Sequence, residues 1–280
     1  MAKRIDNERL PRNFHKTFIP ERQYINAILR FASKGGSGDI KTIAAQTGIP
    51  TGESSGKVDP TLDYCKAMRL IHFQKKGSIR STQLTPFGRV VLLEDAFLKE
   101  PITQWIAHFN LCDPKKGAET WFQTFYAGAH ILGSEFSRDQ LDDYLAGSYM
   151  TTQRGLIGPL VRMYEDKASF SICGALLEES NIIRRRIPPI SNELGYGYGV
   201  WVIQLLENFF PSITQVTVTE LDRVAGWRTI PGWNASETQR ILEIIERKGI
   251  ISVDRSMNPW ILRPNQTSAS IWPKIYCDLI

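Results

Sequence analysis

LIHFQKKGSIRSTQLTPFGRVVL, residues 70–92, is the stretch on which the reading of the fold turns. Two short extended runs flank Gly77, and LTPFGRVVL then opens a small helix. Working back from that hairpin, Tyr24, Ile25, Ile28, Leu29 and Phe31 form an amphipathic helix that ends in KGGSG. Asp39 caps a second short helix closing at Gly48. A third runs from Asp59 to Met68, with Asp-Pro as cap and first residue and Leu62, Cys65 and Met68 on one side. Helix, helix, helix, hairpin is the winged-helix order.

Between the second and third helices lies TGIPTGESSGKVDP, residues 47–60, which looks at a glance like a phosphate-cradling loop. That motif needs four residues between its glycines and a hydroxyl after the lysine. Three residues separate Gly52 from Gly56, and Val58 follows Lys57. The segment before it has helical rather than strand spacing, so a nucleotide loop is set aside. A lysine and free amides ahead of a helix meet phosphate in another way, on a nucleic-acid backbone. Lys57, Thr61, Lys66, Arg69, Lys75, Lys76 and Arg80 are the expected DNA contacts of this module. The competing reading is a solvated lysine surface on a protein-docking module.

The 280 residues are 42% hydrophobic and 22% charged, enough for a sizeable core divided over two or three units. A net charge of +5 mildly favours a polyanionic partner. No apolar run has the length of a membrane span, and MAKRIDNERLPRNF lacks the apolar centre of a signal peptide, so a cytoplasmic location is expected. Cys65, Cys112, Cys173 and Cys277 are scattered, and His15, His72, His108 and His130 share no metal-like spacing.

From Leu98 to about Phe210 the pattern is helical and aromatic. Trp105, Trp121, Phe122, Phe125 and Tyr126 have the spacing of a core in preference to a base-stacking platform. Ser137 with Gln140 is a capping box, and Asp139, Asp142 and Asp143 read as a solvated face. IIRRRIPPISNELGYGYGVWV interrupts the helices, with Gly195, Gly197 and Gly199 marking a flexible loop or a close backbone approach. Arg184, Arg185 and Arg186 are the densest positive charge, suited to phosphate contact or to a linker. The tail repeats the opening order in outline. Thr219 caps one helix, Asn234 with Glu237 caps the next, and GIISVDRSMNPWILRP supplies two strands. Arg228 and Arg240 are its candidate DNA contacts. The expected fold is therefore mainly α, with winged-helix modules at 1–97 and 211–280 flanking a helical middle domain at 98–210.

HKTF at 15–18 with Arg22, GKV leading into LDYCKAMRLI, LTPFGR, EDAFLKEPITQWIAHFNL, TWFQTF and SFSICGALLEESNII follow one another in an order that resembles the domain-of-unknown-function family 4007. In particular it resembles the SspB-like proteins encoded beside DNA phosphorothioation genes, over roughly residues 14–262. The resemblance implies a part in replacing a non-bridging phosphate oxygen of DNA with sulfur, in support of defence against phage. It also implies action on duplex DNA, by nicking or opening a strand, alongside a cysteine desulfurase and a sulfotransferase-like ATPase. A divalent metal is implied only if nicking is intrinsic. The family writes its first motif His-Glu-Thr-Phe, and here Lys16 stands in place of the Glu, which removes that carboxylate. No catalytic residue is assigned. The alternatives are a protein-interaction scaffold and a winged-helix transcription regulator, both without catalytic activity.

Overall fold

The computed structural model describes residues 8–52, 56–153, 155 and 157–279. The start of the N-terminal segment and Glu53–Ser55 of the glycine-rich loop lie outside the described residues. Contacts divide the chain into two compact units, Met1–Arg186 and Ile187–Ile280.

In the first unit α1 (Arg22–Ser33), β1 (Ser37–Gly38), α2 (Ile40–Thr47) and α3 (Val58–Ala67) precede the hairpin β2 (Ile71–Lys76) and β3 (Ile79–Leu84), with α4 (Pro86–Glu94) after it. Asp39 caps α2 by accepting from the Thr42 amide, and the helix stops at Gly48 with φ 69°. α3 begins one residue before the expected cap. Lys57 holds the N-cap position and Asp59 lies inside the first turn. Thr85 caps α4 by accepting from the Gly88 amide while its hydroxyl donates to the Arg69 and Leu70 carbonyls. A Cβ on Gly88 would sit 1.8 Å from the Leu70 carbonyl oxygen, so only glycine lets α4 seat there.

The unit continues through α5 (Pro101–Leu111), α6 (Glu119–Phe122) with a π turn at Gln123–Ala127, α7 (Ala129–Leu132), β4 (Glu135–Ser137), α8 (Arg138–Ser148), α9 (Pro159–Glu165), β5 (Leu176–Glu179) and β6 (Ile182–Arg185). Trp105, Trp121 and Phe125 are buried, as the helical spacing predicted. Phe122 and Tyr126 are half-buried. The capping box of Ser137 and Gln140 is present.

The second unit holds α10 (Gly195–Phe209), β7 (Val216–Thr217), α11 (Val218–Ala225), α12 (Ala235–Arg247), β8 (Ile251–Asp254), β9 (Ile261–Pro264) and α13 (Ser268–Ile271). The glycines of GYGYG form the first turns of α10 instead of a loop. A Cβ on Gly195 would meet Lys248 and Ile244 at 2.4 and 2.6 Å, and one on Gly199 would meet Ile250 at 2.4 Å. Close backbone approach is thus why glycines stand there. Thr217 rather than Thr219 caps α11, and Asn234 with Glu237 makes the capping box of α12.

The expectation of a mainly α chain with winged-helix ends is overturned. The chain is mixed α/β, 46% helical and 15% strand. Among the described residues its strands form three antiparallel three-stranded sheets ordered β1-β3-β2, β4-β6-β5 and β7-β9-β8. One of these lies in the stretch expected to be helical, so the distinction between sheet-bearing ends and a helical middle does not exist. Each sheet is built the same way. A strand of two or three residues runs straight into a capped helix and pairs with the second strand of a later hairpin. Such strands are too short to show a two-residue period in sequence. In the second sheet the hairpin turns through Ser180 and Asn181, with φ 50° and 66°, the backbone that a two-residue type I′ turn demands.

Candidate nucleic-acid interface

The basic residues singled out in the first unit separate into two kinds. Arg80 is buried, and its guanidinium donates from Nε and Nη2 to the two carboxylate oxygens of Asp59 at 2.7 and 2.8 Å. This fork-to-fork pair ties the hairpin to the first turn of α3 and holds the Asp59 carboxyl below its usual range. Thr61 is buried, its hydroxyl donating to the Lys57 carbonyl at 2.7 Å. Lys57 is ion-paired with Glu21 and lies over the Phe18 and Tyr24 rings, 5.6 and 5.1 Å from their centroids. Arg69, at φ 58°, donates to Asp113 at 2.6 Å. These four hold the fold together.

Lys66, Lys75 and Lys76 are different. All three are exposed. Lys75 reaches Asp59 only at 3.8 Å, and Lys66 and Lys76 have no carboxylate partner among the described residues. Lys66, Lys75 and Arg80 all act on the half-buried Asp63, whose pKa burial and the neighbouring Asp59 push up to about 6. The cations therefore surround two carboxylates, one of them already neutralised by Arg80. The outward-facing surplus comes from the lysines of β2 and the end of α3.

The Arg184–Arg186 run is a strand and its exit rather than a linker. Arg184 bridges Glu135 at 2.9 Å and Glu179 at 3.1 Å. Arg185 packs over the Phe125 ring and donates to the Phe125 carbonyl at 3.1 Å, its pKa lowered by burial. Arg186 is exposed. In the second unit Arg228 is held by Asp222 at 3.0 Å, while Arg240 is exposed without a carboxylate partner among the described residues.

The motifs quoted for the family resemblance turn out to be packing and hydrogen-bonding residues. Tyr64 donates to the Phe18 carbonyl at 3.1 Å, and Arg22 donates to the Phe97 and Lys167 carbonyls. The Gln104 side chain joins the Leu98 carbonyl to the Cys173 amide. Tyr164 lies 2.7 Å from His108 Nδ1 and accepts from Trp121 Nε1 at 2.9 Å. Burial lowers the His108 pKa to about 3, so its imidazole is neutral.

HKTF forms a turn, with Lys16 at φ 53°, ahead of α1 and not its capped start. His15 is buried against Phe14 and Trp121 and lines a cleft of about 440 Å³ with Arg12, Thr17 and Arg162. Burial lowers its pKa to about 4, opposed by a backbone interaction with Arg12, and among the described residues no group meets the buried Nδ1 in full hydrogen-bond geometry. Sequence reasoning missed Arg12 and Arg162. They lie about 150 positions apart, and no spacing rule connects them.

A family model described as a protein of unknown function (DUF4007) matches residues 62–156. Two solved structures share the architecture, an SspB crystal structure at TM-score 0.70 and a magnesium ion-bound SspB crystal structure at 0.69. Each is 13% identical and aligns over 95% of this chain and 88% of its own. In fold the chain is SspB-like. No curated protein matches it. The SspB-like fold thus spans both units, well beyond the segment that the family model covers. Among the described residues no group of three or more His, Cys, Asp or Glu side chains is placed to hold a metal ion. No helix of the described residues is long and apolar enough to cross a membrane.

Proposed function

We propose that the chain is a DNA-contacting component of a DNA phosphorothioation system, working beside the enzymes that mobilise and insert sulfur. The observation that carries the pathway is the SspB fold shared over nearly the whole chain. The DNA contact is supported by the exposed lysines of the first sheet, which the fold leaves free of strong ion pairs. Lys66, Lys75 and Lys76 meet the phosphate backbone in this reading, with Arg186 and Arg240 as further exposed candidates. Contacts of this kind position a protein on DNA without reading its sequence.

The test is binding to duplex DNA as a function of salt. Each phosphate neutralised releases counterions, so log affinity falls linearly with log salt, with a slope of about −0.9 per contact. Absence of binding at low salt would favour the second reading, a scaffold that docks the sulfur-transfer enzymes without touching DNA. Strand nicking is a separate question, decided by whether supercoiled plasmid relaxes to open circles with magnesium or manganese. Retention of the supercoiled form with both metals leaves a binding subunit.

A further inference from the structure

We propose that the cleft lined by Arg12, His15, Thr17 and Arg162 is a binding site for a phosphoryl group. It lies in the first unit and its volume of about 440 Å³ is that of a small-molecule site. Two guanidiniums line it, and among the described residues none that lines it is acidic. Neither arginine is ion-paired among the described residues. Arg12 has a single long contact of 3.5 Å to Gln153 and lies over the Tyr149 ring, and Arg162 spends one Nη2 donor on the Thr17 carbonyl at 2.6 Å. A guanidinium carries five N–H donors in a fixed fork, so most of theirs remain unused. Arg12 is half-buried and Arg162 is exposed at the mouth of the cleft.

The second observation is His15 itself. The residue is 8% exposed, and among the described residues its buried Nδ1 has no hydrogen-bond partner in full geometry, with only the Arg12 backbone acting on the ring. Buried polar atoms are almost always satisfied, so an orphan on a cleft wall marks a missing ligand or a reserved donor. The imidazole edge faces Gly158 across the cleft, its Cε1 3.5 Å from where a Cβ on that residue would lie. A side chain there would close the space between ring and wall. Guanidinium donors on Arg12 and Arg162, with the His15 ring on the same lining, come from separate chain positions around one opening. That arrangement suits a tetrahedral anion with oxygens in several directions better than a planar carboxylate.

The phosphoryl group has two possible sources, a free nucleotide or a DNA 5′ end. This inference does not depend on the hairpin lysines contacting DNA, and the two fail separately. The full chain is titrated with inorganic phosphate, dAMP, a 5′-phosphorylated oligonucleotide and its 5′-hydroxyl counterpart, with acetate as the planar control. Binding is followed by calorimetry and by the His15 Cε1–H resonance. Saturable binding of a phosphoryl ligand that shifts the His15 resonance is expected, and the tightest ligand names the source. Arg12→Gln and Arg162→Gln should each weaken it by about tenfold or more. Arg12→Gln guards against a folding defect, because Arg12 makes only one long side-chain hydrogen bond and a contact with the Tyr149 ring. No saturable binding, acetate binding as tight as phosphate, or affinity left within about twofold in the double variant overturns the site. Loss of duplex binding in a Lys75→Ala/Lys76→Ala variant that still binds the phosphoryl ligand leaves the cleft standing.

Discussion

Arg80 and the lysine pair Lys75–Lys76 sit on one hairpin and carry the same charge, yet their replacement by alanine should have opposite consequences. Arg80 is 5% exposed in its side chain and makes two charge-assisted hydrogen bonds to Asp59, itself 23% exposed. Truncating it strands the Asp59 carboxylate beside Asp63, and the remaining neighbour is Lys75 at 3.8 Å. Breaking a fully buried pair costs about 3–5 kcal/mol, and the partial exposure of Asp59 brings the expectation to about 2–3 kcal/mol. In a unit of this size that lowers Tm by roughly 5–10 °C. Lys75 and Lys76 are exposed, and their joint truncation should move stability by less than about 1 kcal/mol. The same double variant should flatten the salt dependence of duplex binding by about two counterions. Thermal melts and salt-titrated anisotropy on the two variants make the comparison. An Arg80→Ala protein that melts like wild type but loses DNA, or a lysine variant whose salt slope is unchanged, refutes the division of roles.

Gly88→Ala puts a methyl group 1.8 Å from the Leu70 carbonyl oxygen and should destabilise by at least about 3 kcal/mol in denaturant titration, the upper range for overpacking. Acidification should weaken the fold through His15 and His108. Both have folded pKa values, about 4 and about 3, below the unfolded 6.5, so the unfolded state protonates first and the stability present above pH 6.5 is lost as pH falls toward 4 and 3. The shifts correspond to about 3–5 kcal/mol for each ring, and both imidazoles should remain neutral by NMR at pH 5. Asp63 opposes this, since its raised pKa favours the folded state as pH falls below 6. Lys57→Ala should cost up to about 1 kcal/mol through loss of the Glu21 pair, and calorimetry should find no ATP or GTP binding in either protein.

Helix starts were legible at several local side-chain signals, while the Asp-Pro at 59–60 put the cap of α3 two residues late. Asp39, Ser137 and Asn234 each cap as their sequence context predicts, because a cap is decided within four residues. Thr217 was missed in favour of Thr219 since two threonines compete and the choice is settled by the pairing of Val216 and Thr217 with β9. The same cause hid the sheets. Ser37–Gly38 looks like a helix terminus, and Ile182–Arg185 looks like a basic linker, until a distant strand supplies the hydrogen bonds. Glycine spacing in α10 was visible, but its meaning depends on Ile244, Lys248 and Ile250 packing against it. Among the candidate contacts, charge was legible and availability was not. Nothing near Arg80 in sequence says that Asp59 will claim two of its three nitrogens.

The recurring sheet explains why lysine at Lys75 and Lys76 cannot be read as a DNA contact from charge alone. In each sheet the later strand of the hairpin is central, paired on both sides, and its first strand is left at the edge. An unpaired edge invites another chain, and charged side chains along it are a common defence. β2 meets that need with Lys75 and Lys76, and β5 with Glu178 and Glu179. Edge protection is indifferent to sign, since either charge repels a second copy of itself. Phosphate contact is not. The acidic edge of β5 is therefore the internal control for the basic edge of β2: both satisfy the fold, and only one of them is suited to a polyanion.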